Sequence, residues 1–390
     1  MLNIASDRPC RIGVAGAGLL GRLCAWHLSR LGHAVSVFDP APGPAPRHDG
    51  QGAAGFTAAG MLSPLAELDA AEPDVAGRGW HSIPRWAAIA AELVAGTAGE
   101  PPMARRGSLM VAHGPDLGAA RRVLARLDQP MPGQPAWAHP RSLSPAELAT
   151  LEPDLHGSGG PLHAWLLPGE GHLDTVTMLQ GLHDTAPSVR WHWGQHVAAT
   201  QPGALQLADG SHHRFDLVVD VRGTGARPDA PVRGVRGEVV WLHAPGLQLQ
   251  RPVRLLHPRH RVYIVPRSGQ RVLVGASELE TEDRSPMSLR TAVELMAAAH
   301  SVIPALAEAR ILRLDTNLRP ALPDNRPQIV VNDGLVRLNG LYRHGWLLAP
   351  SVVDEALGRL GCPPLPSAGH EPHRPAAVSA SRPRPERLVS

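Results

Sequence analysis

Residues 11–39, RIGVAGAGLLGRLCAWHLSRLGHAVSVFD, decide the fold. Arg11 to Ala15 is a short apolar run. The glycine-rich turn Gly16-Ala17-Gly18-Leu19-Leu20-Gly21 follows it, and apolar residues then recur at helical spacing from Leu19 to Leu31. A second apolar run, Ala34 to Phe38, ends at Asp39-Pro40. Strand, glycine turn, helix and strand within about thirty residues predict a βαβ unit. Gly16, Gly18 and Gly21 form GxGxxG: the first permits the tight turn and the second a close backbone approach to a pyrophosphate. The third lets helix pack on strand, while Leu19 and Leu20 open a helix whose N-terminus offers N–H donors. Asp39, 18 residues after Gly21, can accept ribose hydroxyls. The unit therefore predicts dinucleotide binding without separating FAD from NAD, and the carboxylate argues against the extra phosphate of NADP.

The 390 residues suffice for two interlocked cores. A net charge of +3 is too small and too scattered for nucleic-acid binding. No run of 18 apolar residues predicts a membrane span, and Met1 to Pro9 does not resemble a secretory signal, so a cytoplasmic protein is expected. Cys10, Cys24 and Cys362 fall in no metal-binding spacing and are expected to be reduced. The chain contains no lysine, which excludes Schiff-base chemistry and a P-loop lysine. His192 and His196 are four apart without the glutamate of HExxH. His212–His213 and His257/His260 lie in polar turns, so no metal site is expected.

Beyond the βαβ unit, helix is expected from about Ile83 to Gly96 and from Leu173 to His183, and strands at Ser108–Ala112, Trp165–Leu167 and Phe215–Val221. From Gly237 the pattern turns β, with a hairpin through Ser268-Gly269-Gln270, and Leu347 to Leu360 is a final helix. The expected fold is α/β (α+β overall): a Rossmann-type domain of residues 1–85, 140–225 and 311–362, with an inserted antiparallel β-sheet domain of residues 86–139 and 226–310. Residues 363–390, rich in Pro, Ser, Ala and Arg, are expected to be disordered.

Four later segments carry a resemblance: Thr57-Ala58-Ala59-Gly60-Met61-Leu62; Val262-Tyr263-Ile264-Val265-Pro266-Arg267 with Val274-Gly275-Ala276-Ser277; Leu318-Arg319-Pro320-Ala321 with Asp324; and Tyr342-Arg343-His344-Gly345-Trp346-Leu347-Leu348-Ala349-Pro350. In this order they resemble the D-amino-acid oxidase superfamily of flavoproteins, most closely the glycine oxidases of thiamine biosynthesis. The resemblance covers Arg11 to about Leu360. It implies FAD as cofactor, with Ala59, Gly60 and Met61 beside the flavin and Val197 at the adenine through its backbone. Arg343, His344, Gly345, Trp346 and Leu347 would form a helix entrance at the flavin. It further implies Arg319 as a two-pronged partner of a substrate carboxylate and Tyr263 as a donor to it, with Arg343 bordering the substrate; Glu278 is a candidate wall residue. The implied reaction takes hydride from the α-carbon of glycine or another small amine, with no obligatory side-chain acid or base, and leaves an imine. Molecular oxygen or a quinone or carrier would take the electrons, and association of copies stays open.

The chain departs from the family pattern at several places. Asp220-Val221-Arg222-Gly223 brings charge beside the dinucleotide, and Phe56-Thr57 replaces a small, hydroxyl-rich run. Asn317, Asn325 and Val330 stand where glycine is usual, and Leu341 where histidine is. A catalytically degenerate flavin-binding protein is therefore a second reading.

Overall fold

Strand β1 (Arg11–Ala15) occupies an inner position of a six-stranded sheet, between β2 (Ala34–Asp39) and the strand Leu217–Asp220. The computed structural model describes residues 4, 8–69, 71–129, 133–257 and 261–368. Leu335–Asn339 and Arg190–Trp193 extend this sheet in parallel, and Gln328–Asn332 adds an antiparallel edge. Ile12, Val14 and Ala15 are fully buried, as expected for a parallel strand covered on both faces. Helix α1 (Leu19–Arg30) is buried from Leu19 through Leu28 and packs on the helices Thr175–Asp184 and Gly345–Gly358. The predicted βαβ unit is present.

A second sheet has eight strands, in the order Arg310–Ala321, Arg233–His243, Arg271–Gly275, Arg261–Arg267, Val253–Leu256, Ser108–Ala112, His163–Leu167 and Arg141–Leu143. It is mixed rather than wholly antiparallel, because Val253–Leu256 and Ser108–Ala112 run parallel. Its own core joins Leu109, Val240, Ile264 and Val274 to Leu295, Ala299 and Val302 of the helix Leu289–Val302. The domain boundaries expected from the sequence cut across this sheet. Arg141–Leu143, His163–Leu167 and residues 311–321 of the strand Arg310–Ala321, expected from the sequence in the dinucleotide domain, hydrogen-bond into the second sheet. Strand membership here is set by partners far away in the chain, which local pattern does not carry.

Two other expectations shift. The helix expected from Ile83 runs over Pro73–Leu93: Pro73 suits the first helical turn, and Ala76, Trp80 and Ile83 continue the buried stripe through Pro84. The tail expected to lose order at Pro363 stays docked through Ala368. Leu365 is buried and its N–H donates to Asp354, Pro363 O meets His27 Nε2, and the Ala368 N–H donates to Pro84 O. The buried Leu365 and these three hydrogen bonds together anchor the segment. Residues 369–390 and His260 lie outside the described residues.

Candidate active site

A cavity of about 690 Å³ runs between the two sheets, from Phe38, Asp39, His196 and Val197 past the glycine turn to Arg319 and Tyr263. That volume lies within the range of cofactor and ligand sites. At the first end Gly16 has φ +104°, and a Cβ on Gly21 would stand 1.8 Å from Gly16 O, so both glycines are required where the turn meets the helix. Helix α1 begins at Gly18 with no side-chain cap and no acidic residue in its first turn, which leaves its positive end open to the cavity. Asp39 is tied to the turn: Ala17 N–H donates to Oδ2 at 2.6 Å and Ala41 N–H to Oδ1 at 2.8 Å.

Arg222, the unexpected charge, lines the cavity but is not an orphan. Its guanidinium meets Asp220 Oδ2 at 2.7 Å and Asp229 Oδ2 at 2.6 Å, and Nη1 donates to Val197 O and Ala198 O at 3.2 Å each. Asp220 also accepts the Thr200 hydroxyl at 2.8 Å. The backbone of Val197, expected at the adenine, is therefore held through its carbonyl by a buried ion-pair cluster.

In the middle of the cavity, the segment Ala58–Met61 is pinned through its carbonyls. Thr175 Oγ1 donates to Ala58 O at 3.2 Å, Arg267 Nη2 to Ala59 O at 2.5 Å, and the Leu173 N–H to Gly60 O at 2.9 Å. Burial lowers the Arg267 guanidinium to about 10, still a cation at neutral pH. Opposite, the helix Gly345–Gly358 starts at the cavity, again without a side-chain cap or an acid in its first turn. Trp346 donates its indole N–H to Gly55 O at 3.0 Å, fixing this entrance against the 54–57 turn.

Two departures from the family pattern meet each other here. Asn317 Nδ2 donates to Thr57 Oγ1 at 3.0 Å and to Gly52 O at 3.2 Å, so the side chain that replaces glycine staples the replaced 56–57 run to the strand Arg310–Ala321. Asn325 has φ +58°, a left-handed conformation that asparagine tolerates in place of glycine.

At the far end, Arg319 and Tyr263 stand over two glycines of the sheet. A Cβ on Gly237 would lie 2.4 Å from Arg319 Cζ, and one on Gly275 would lie 2.6 Å from the Tyr263 ring. The one hydrogen bond Arg319 makes among the described residues is Nη1 to Arg236 O at 3.2 Å, and no described carboxylate pairs with it. Burial raises the Tyr263 phenol, so it stays protonated and can donate.

Arg343 is differently placed from Arg319: Nη2 meets Glu67 Oε2 at 3.0 Å and Nη1 meets Glu278 Oε2 at 3.2 Å. Glu67 also holds Arg254 at 2.9 Å, and Glu278 accepts the Tyr342 hydroxyl at 2.8 Å. Burial alone would raise the Glu67 carboxyl, but Arg254, His344 and Arg343 together outweigh it and hold it well below the usual range. Glu278 is lowered too: burial opposes, and Tyr342, Arg343 and Arg319 prevail. Burial lowers His344. Sequence reading singled out Arg343, His344 and Glu278 and missed Glu67, Arg254, Tyr342, Gly237 and the anchoring role of Asn317. Glu67 and Arg343 are 276 positions apart, so no local signal links them.

These features fit FAD, the cofactor the resemblance implies. An uncapped helix end by the glycine turn would hold the pyrophosphate. Asp39 and Val197, which line the same cavity, would flank the adenosine, and Ala59, Gly60, Met61 and Gly345 to Leu347 would flank the ring system.

Comparison with known proteins agrees. The chain is 37% identical over 351 residues, 90% of its length and 96% of the relative's, to a putative thiamine biosynthesis oxidoreductase ThiO of Rhizobium etli. Its fold is similar to iminodiacetate oxidase from Chelativorans (TM-score 0.75, 24% identity, 93% of this chain and 100% of that one). It is also similar to glycine oxidase from Geobacillus kaustophilus (TM-score 0.74, 24% identity, 90% and 94% covered). The model of the FAD-dependent oxidoreductase family, DAO, matches residues 11–354, and the chain belongs to that family.

Proposed function

We propose that the chain oxidises the C–N bond of glycine, or of a comparably small D-amino acid or secondary amine. The product is an imine, which water hydrolyses to the 2-oxo acid and ammonia, or to the 2-oxo acid and a primary amine where the substrate is a secondary amine; molecular oxygen takes the electrons and leaves as hydrogen peroxide. The observation that carries this reading is Arg319, a guanidinium in the cavity with no carboxylate partner among the described residues. Its planar fork matches a substrate carboxylate, and the Tyr263 hydroxyl, kept protonated by burial and lining the same cavity, would donate to the same group.

Bound FAD supplies the two-electron acceptor. The chain's own residues orient the substrate and set the field around it. Arg319 and Tyr263 fix the carboxylate, which fixes the α-carbon, and this orientation replaces any obligatory acid or base. The uncapped positive end of the helix Gly345–Gly358, which opens on the cavity, would stabilise negative charge that accumulates during the reaction. Likeness to the Rhizobium etli protein supports a place in thiazole synthesis for thiamine, in which the imine is consumed before hydrolysis.

The test is an anaerobic bleaching assay on the purified holoprotein with glycine, sarcosine and D-alanine in turn. Loss of the oxidised-flavin absorbance with one of them, followed by peroxide on admitting air, is the expected result. Flavin that stays oxidised with all three sinks the reading. Bleaching without peroxide, reversed by a quinone, would replace oxygen by a carrier.

A further inference from the structure

Three arginines and two glutamates crowd the substrate end of the cavity: Arg254, Arg319, Arg343, Glu67 and Glu278. Glu67 bridges Arg254 and Arg343, and Glu278 takes the remaining terminal nitrogen of Arg343. Both prongs of Arg343 are thus committed, each to a different carboxylate. Arg319 commits only Nη1, to a backbone carbonyl, so its Nε/Nη2 edge stays open. His344 Nδ1 faces Glu67 Oε2 at 3.3 Å rather than Arg319, and burial works against a charge on its ring. Among these three arginines and two glutamates one positive charge has no carboxylate partner, and it is that of Arg319.

We propose, resting on the amine-oxidase reading above, that Glu278 is a specificity-determining residue: by holding Arg343 Nη1 it leaves Arg319 as the single cation offered to a ligand, and so sets the site for monocarboxylates against dicarboxylates. Glu278 is suited to this because it is the replaceable member of the set. Its side chain is 44% exposed, whereas that of Glu67 is 14% exposed and carries two arginines. Without the Glu278 charge, Arg343 Nη1 becomes a second anchor beside Arg319 for a ligand with carboxylates at both ends. With it, a second carboxylate meets a neutralised Arg343 and the nearby negative charge of Glu278.

The experiment follows perturbation of the flavin spectrum of the holoprotein on titration with acetate and with malonate, and steady-state turnover of glycine against iminodiacetate. In Glu278→Gln, and in Glu278→Met, malonate affinity should rise about tenfold relative to acetate, the order of one charge-assisted contact. Iminodiacetate should gain on glycine in the same direction. The gain should vanish when Arg343→Met is added, because Arg343 is the anchor released. Tyr342→Phe, which removes a hydroxyl and no charge, should leave the malonate/acetate ratio at the wild-type value. An unchanged ratio in both Glu278 variants, a gain that survives Arg343→Met, or an equal gain in Tyr342→Phe overturns the proposal while acetate binding and glycine turnover stand. Wild-type holoprotein that responds to neither acetate nor malonate would overturn the Arg319 reading itself.

Discussion

The guanidinium of Arg319 faces Gly237 on the neighbouring strand, with Cζ, Nη1 and Nη2 at 2.4, 2.5 and 2.5 Å from the point where a β-carbon would stand. The absent side chain is the seat of the arginine. Gly237→Ala must therefore push the fork off its position without touching its charge. We expect KM for the amino acid to rise roughly ten- to a hundredfold with FAD content unchanged, and Arg319→Ala to do the same more severely. Steady-state kinetics with flavin quantitation checks both, and a normal KM in Gly237→Ala would show that the arginine has freedom the packing denies it.

Asn317 and Thr57 make a second coupled pair. Asn317→Ala removes the donor to Thr57 Oγ1 and Gly52 O and leaves Gly52 O without that bond, at an expected cost of about 1–3 kcal/mol. Thr57→Val alone should cost less, since Asn317 keeps its bond to Gly52. The double variant should fall short of the sum by about 0.5–1.5 kcal/mol. Denaturant unfolding of the four proteins measures this, and strict additivity would mean that the two departures are independent.

How much of this was legible in the sequence follows from how local each feature is. The GxGxxG turn with Asp39 is written in 29 consecutive residues, 11–39, and the structure places them together. Arg319 and Tyr263 were reachable because each lies in a short motif of known relatives. Gly237 was read only as the start of a β-rich stretch, since a seat for a residue 82 positions away leaves no trace in its neighbours. Arg222, Asn317 and Thr57 looked like damage to the pattern because each was weighed alone; their partners Asp229, Gly52 and one another supply the compensation. That the second sheet draws strands from both expected segments has the same cause, strand pairing being a long-range choice.

Arg222 sits between Asp220 and Asp229 and carries the Val197 and Ala198 carbonyls. Arg222→Ala leaves Asp220, which is 3% exposed, to the Thr200 hydroxyl and the more distant Arg337 guanidinium at 3.7 Å, and should cost about 3 kcal/mol. Arg222→Met with Asp220→Asn removes both charges together and should restore most of that stability. FAD should nonetheless bind more weakly to this double variant, because nothing then fixes the Val197 carbonyl. Thermal unfolding of the apoprotein and FAD titration separate the two effects. Full recovery of both would reduce the cluster to a structural ion pair.

Glu170 gives the pH dependence. Fully buried, it accepts the Ala66 N–H at 3.1 Å, one residue before Glu67, and pairs with the Ser108 hydroxyl. Burial raises its carboxyl from an ordinary 4.5 to about 7 against the opposing pull of Ser108, Ala66 and Arg254. A carboxyl raised by folding favours the fold when protonated. Below about pH 4.5 its contribution is complete, because both states hold the proton. Between 4.5 and 7 the unfolded chain has released the proton while the fold retains it, so stability falls as pH rises. Above 7 the loss is complete, roughly 3 kcal/mol in all. Glu170→Gln mimics the protonated form and cannot ionise, so it should lose less stability than wild type between pH 5 and pH 8, by up to that amount. Urea midpoints of both proteins at the two pH values decide it, since every other titrating group contributes equally to each. A difference between the two proteins that does not change with pH would mean that Glu170 is already ionised in the fold at pH 5, with the Ala66 turn and the guanidinium of Arg254 stabilising its charge.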